Sequence, residues 1–72
     1  MKEEVSIQTQ YIQLGQFLKL VNIVESGGMV KHFLSEYQIY VNGTLENRRG
    51  RKLYPGDVID CKESGSFTIT AE

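Results

Sequence analysis

Four positive side chains fall within five residues at Arg48, Arg49, Arg51 and Lys52, in a chain whose formal net charge is −1. The chemistry they suit is phosphate binding. Three of the four are Arg, whose planar fork meets two phosphate oxygens at once, where Lys offers a point charge. Gly50, set among them, would let the backbone come close to a ligand. A charge run is usually a solvated loop, and a short basic run can also serve as a nuclear address. Against both stands its setting between "VNG" and "YPGD", two turn signals that would hold it in place.

Other chemistry finds less support. His32 and Cys61 would make a nucleophile–base pair only with a third group to orient the base, and none is evident. Asp57 and Asp60 form a carboxylate pair on paper, but a turn explains Asp57. No cluster has the spacing of metal ligands, and "GG" before a helix falls far short of a phosphate-cradling loop. The chain therefore reads as non-enzymatic, with no catalytic residue, metal or cofactor. Cys61 is the only cysteine, which rules out an internal disulfide and fits a reducing compartment.

Composition averages away the main signal. Without the four clustered cations, four basic side chains would face nine acidic ones. A phosphate responds to charge within a Debye length of about 8 Å, not to the whole-chain balance. "MKEEVSIQTQ" lacks the apolar core of a signal peptide, and "FLKLVNIV" is broken by Lys19 and Asn22, so no membrane partner is expected. The 72 residues suffice for one small domain, 1–72, in the cytoplasm.

The elements that must position the basic run can be read from periodicity. Val5 and Ile7 alternate with polar neighbours, predicting a short opening strand. Leu14, Phe17, Leu18 and Val21 predict a helix over about 14–24, and Val30, Phe33, Leu34 and Tyr37 a second over about 28–37. Phe17, Phe33 and Tyr37 are expected in the core. The glycines of "ESGG" would supply the positive φ that ends the first helix, leaving a helix-turn-helix-like pair. Lys19 and Lys31 lie off the apolar stripes and could face the same groove as the basic run. Asn22 and His32 are weaker candidates for hydrogen bonding there.

Beyond Tyr37 the period changes to two. Ile39 and Val41 predict a strand, Asn42-Gly43 a type I′ hairpin turn, and 44–46 the return strand. Pro55-Gly56 carries a type II signature. Val58 to Cys61 reads as a strand, "KESGS" as a turn and "FTIT" as a closing strand. The fold class is α+β: two short helices packed on a small antiparallel sheet. Tyr40 and Tyr54 are expected to point outward, where they could stack on bases or simply cover the sheet.

Helix, glycine turn, helix, "IYVNG", basic residues and "PGDVI", in that order, resemble the S-four RNA-binding domain, or alpha-L motif, over about Ile12 to Cys61. "LGQFLKL", "ESGGMVKHFLSE" and "NRRGRKLYPGDVI" are similar to stretches of its stand-alone bacterial YaaA-type branch. The resemblance implies a protein that holds structured RNA by its backbone, with ribosomal RNA or a ribosomal particle as partner and ribosomal proteins as further neighbours. It places Lys31 where many members carry Arg, and matches Asn42-Gly43 and Gly56-Asp57 to the family's turns. Arg48, Arg49, Arg51 and Lys52 match the branch's basic segment. Gln13-Leu14-Gly15 replaces a frequent Arg-Leu-Asp, Ser26-Gly27 a frequent Ser-Arg, and Tyr37 a helix-ending Gly. Those replacements shift the attraction onto the basic segment. The RNA-contacting set is thus Arg48, Arg49, Arg51, Lys52, Lys31 and Lys19, with no small-molecule substrate. The alternative is an interaction module whose basic segment docks on an acidic protein.

Overall fold

The computed structural model describes residues 2–62 and 65–72. Strands β1 (Lys2–Ile7) and β2 (Ile12–Gln13) lead into helices α1 (Leu14–Leu20) and α2 (Gly27–Glu36). Then follow β3 (Ile39–Val41), β4 (Thr44–Glu46), β5 (Lys52–Leu53), β6 (Val58–Cys61) and β7 (Gly65–Ala71). The fold class is α+β. One sheet runs in the order β1-β7-β6-β3-β4, and β2 with β5 forms a separate two-stranded ribbon.

The antiparallel sheet expected from the sequence is found for β3, β4, β6 and β7. The opening strand differs, because β1 runs parallel to β7 from Lys2↔Ser66 to Ile7↔Ala71. Parallel neighbours need a long connection, and these two strands come from opposite ends of the described chain. They also enlarge the core beyond the 12–61 span: Ile7, Phe67 and Ile69 are buried in the same cluster as Leu14, Phe17 and Leu18 of α1. Phe17 meets Phe67 edge-on, with ring centroids 5.4 Å apart, a favoured aromatic geometry.

Helix α1 stops at Leu20 rather than near Val24, and a glycine does not end it. Asn22 takes the left-handed conformation, φ 63°. Its N–H donates to the Lys19 carbonyl at 3.0 Å, and the Ile23 N–H reaches the Leu18 carbonyl at 2.9 Å. That pair of bonds is a Schellman cap, in which Asn does what Gly more often does. Gly27 and Gly28 instead open α2. Tyr37 is a second correction. The helix ends at Glu36, and Tyr37 turns to extended backbone (φ −124°, ψ 146°). It therefore leaves the apolar stripe, is 44% exposed and stacks on the half-buried Phe33.

Both turns that frame the basic run form as expected. Asn42 and Gly43 have φ of 52° and 84° in the two-residue loop between β3 and β4. Gly56 has φ 99°, and the Asp57 N–H closes its turn on the Tyr54 carbonyl at 2.9 Å. A latch joins the two turns. Asn42 Nδ2 donates to Asp57 Oδ1 at 3.0 Å, and Asn42 Oδ1 accepts the Val58 N–H at 2.9 Å. The turn read into "KESGS" includes Glu63 and Ser64, which lie outside the described residues.

Replacing Asn42 removes both the latch and a side chain tolerant of positive φ. Asn42→Ala should destabilise the fold by about 1–3 kcal/mol, and Asn42→Gly, which keeps the φ, by less. Urea unfolding at pH 7 measures both; equal losses would mean that backbone strain contributes nothing.

Candidate nucleic-acid interface

The basic run is built around a buried carboxylate. Glu46 ends β4 and is only 6% exposed. An unpaired carboxylate is costly in such a place, and two arginines meet this one. Arg51 NH1 lies 2.7 Å from Glu46 Oε1, and Arg48 Nε lies 3.0 Å from Oε2. Arg48 adds NH2 to Oε1 at 3.3 Å and its own backbone N–H to Oε2 at 3.1 Å. Hydrogen bonds from Arg48, joined by those from Arg51, hold the Glu46 carboxyl well below its usual range, at about 2 against an ordinary 4.5, despite its burial.

The clamp shapes the loop between its two arginines. Residues 48–51 close a turn through the Arg51 N–H and the Arg48 carbonyl, while β5 pairs with β2. The first turn of a helix leaves N–H groups without partners, and this loop supplies them for α1. Leu14 N–H donates to the Arg51 carbonyl at 2.8 Å and Gly15 N–H to the Arg49 carbonyl at 2.9 Å. The loop lies close over Gly15: a Cβ there would sit 3.4 Å from the Arg49 carbonyl oxygen and 3.3 Å from Val30 Cγ1. The absence of a side chain at 15 thus has a packing reason.

The clamp also sorts the four cations. Arg51 is 31% exposed and occupied by Glu46. Arg48 has 75% of its side chain exposed, so it faces solvent with part of its charge already answered. Among the described residues no ion pair engages Arg49 or Lys52. Arg49 borders two adjoining grooves. One, of about 370 Å³, is shared with Lys31, Ser35 and Asn47. The other, of about 280 Å³, is shared with Lys19, Gln16 and the glycines at 15, 27 and 50. Lys19 and Lys31, from different helices, therefore flank the same arginine.

Other candidates lie elsewhere. Asn22 and His32 line a groove of about 690 Å³ whose carboxylates are Glu3 and Glu36, a poor setting for phosphate. Tyr40 lies on β3 opposite Leu45 and Asp60, with its hydroxyl directed to Gln38; it covers the sheet. Burial pushes the Cys61 thiol up to about 11, leaving it protonated at neutral pH. Tyr11 has no periodic signal in the sequence, yet its ring packs against Tyr54 with centroids 5.8 Å apart. Lys52 Nζ sits 4.8 Å from the Tyr11 ring centroid. Only the pairing of β2 with β5 brings these three together.

The S4 domain model matches residues 5–70. The chain belongs to the S4 domain family. This S4 domain is also 54% identical over 69 residues to the "Probable ribosome maturation protein RlbA" of Bacillus subtilis (strain 168), covering 96% of this chain and 97% of that protein. The family match takes in half of β1 and most of β7, wider than the 12–61 stretch whose motifs resemble the family.

The clamp makes the S4 domain acid-sensitive. The folded value of Glu46 lies below the unfolded one, so its contribution to stability is complete above about pH 4.5 and is lost as pH falls toward about 2. Glu46→Gln leaves the arginines facing a neutral amide and should cost about 2–4 kcal/mol at pH 7. The variant should also lose most of the wild-type decline between pH 4.5 and 2. Urea unfolding across that range tests both; an unchanged pH profile would remove Glu46 as its source.

Proposed function

We propose that this chain is a non-enzymatic, single-domain RNA-binding protein of the bacterial cytoplasm, acting on ribosomal RNA or a ribosomal particle. The observation that carries the reading is Arg49 standing between two adjoining grooves, with Lys31 in one and Lys19 in the other. Arg48 and Lys52 continue the positive surface on the far side of Gly50. Membership in the S4 domain family and the printed name of the Bacillus subtilis relative support the choice of RNA and of the ribosome.

The mechanism is electrostatic and geometric. A-form RNA has a major groove too deep and narrow for side chains to read, so a basic loop bordering two open grooves suits backbone and shape. Arg49, Lys31 and Lys19 would each meet a phosphate, with Arg48 or Lys52 meeting a fourth. Arg51, paired with Glu46, would brace the loop and add its charge to the field. The acidic remainder of the surface would turn away non-specific partners.

With about four phosphates neutralised, log K should fall with log salt at a slope of roughly −3 to −4. The double change Arg49→Glu with Lys31→Glu should weaken binding to every structured RNA and reduce that slope by about 2, measured by fluorescence anisotropy from low to physiological salt. Unchanged affinity in the folded double variant would remove the site. A pull-down with and without ribonuclease checks the partner class: partners retained after RNA digestion point instead to docking of the basic segment on an acidic protein.

A further inference from the structure

Tyr54 lies outside the phosphate-binding set and outside the core. Its backbone is fixed on both sides, because the N–H donates to Asp57 Oδ2 at 2.8 Å and the carbonyl accepts the Asp57 N–H at 2.9 Å. The preceding Leu53 is fully buried, and Pro55 follows. The residue on this rigid support is 46% exposed, and its hydroxyl has no protein partner among the described residues. Tyr11 props it from one side. A hollow of about 460 Å³ opens beside it, lined by Arg48, Gly50, Arg51, Lys52 and Tyr54. One aromatic ring and four residues of the basic run, glycine included, thus border a single hollow.

We propose that Tyr54, supported by Tyr11 and Lys52, is a stacking platform for one unpaired base of the bound RNA. The inference rests on the RNA reading above and deepens it by naming the structural class of RNA. Within a duplex every base face is covered by its neighbours; a bulged, looped or terminal nucleotide alone offers a free face to a tyrosine. The hollow shares Gly50 with the groove that holds Lys19 and Arg49. A strand held by its phosphates at Arg49 therefore passes over a residue with no side chain before it reaches the ring. Gly50 has open space where a Cβ would be, which leaves that passage clear. Lys52 is held over Tyr11, placed to meet the phosphate next to the stacked base. The platform costs little to organise, since a tyrosine on a fixed turn loses few rotamers on binding. The recognised feature is a duplex interrupted by an unpaired nucleotide.

The test uses two synthetic RNA hairpins with the same stem, closed by a flexible linker without bases in place of a nucleotide loop, one fully paired and one with a single bulged 2-aminopurine. The protein should bind the bulged hairpin about 5- to 100-fold more tightly and quench its fluorescence by stacking. Tyr54→Phe should keep both effects. Tyr54→Leu should lose the preference and the quenching while binding the paired hairpin as the unaltered protein does, which also shows that the variant is folded. Equal affinity for both hairpins, or a preference that survives in Tyr54→Leu, overturns the platform and leaves the RNA reading standing. Equal loss on both hairpins in Tyr54→Leu also overturns it. Failure of the unaltered protein to bind either hairpin overturns both.

Discussion

A carboxylate removed from water must recover its lost solvation from nearby donors, and Glu46 recovers it from Arg48 and Arg51. Much of the molecule follows from that one constraint. The two arginines sit on either side of Arg49 and Gly50, so holding both to one buried group closes the intervening chain into a turn. The carbonyls of that turn then point at the start of α1 and accept its first N–H groups. The helix start, the loop conformation and the display of charge form a single unit. The latch between Asn42 and Asp57 supports the unit from the other end by joining the hairpin to the turn that follows the loop.

The same constraint explains how a chain with a net charge of −1 can present a locally positive surface. One acidic side chain is buried among the cations, where it organises them, and four positive charges remain three in net. Arg49 is left exposed and without an ion pair among the described residues within the loop, and Lys19 and Lys31 border the same grooves from the helices. The carboxylates of Glu3 and Glu36 border a different groove. Segregation of charge matters more than its sum when screening limits each group's reach to about 8 Å.

Much of this was readable from residue types and spacing because it depends on local rules. Positive φ at Asn42 and Gly43, the Pro55-Gly56 turn, and the apolar stripes through Phe17 and Leu18 and through Val30 and Leu34 follow from steric and burial preferences of neighbouring residues. The misses have physical causes too. Asn can adopt the left-handed cap that Gly usually fills, so Asn22 closes α1 just past its end at Leu20 while the paired glycines start the next helix. Tyr37 continues the apolar period in sequence but leaves the helix in space. The parallel partner of β1 lies more than sixty positions away, beyond the reach of periodicity.

For the candidate site, the sequence by itself determined the number and clustering of the cations and the turns on either side. Charge count is set by residue type, and tight turns are set by the φ that a few residues can reach. Tertiary structure alone decided which cations remain free. Whether an arginine is paired or free depends on Glu46 being covered at the end of β4, and whether Tyr11 meets Tyr54 depends on β2 pairing with β5. Strand register and burial are properties of the whole packed chain, and they turned a cluster of four like charges into two braced arginines, one unpaired arginine and a lysine resting on an aromatic ring.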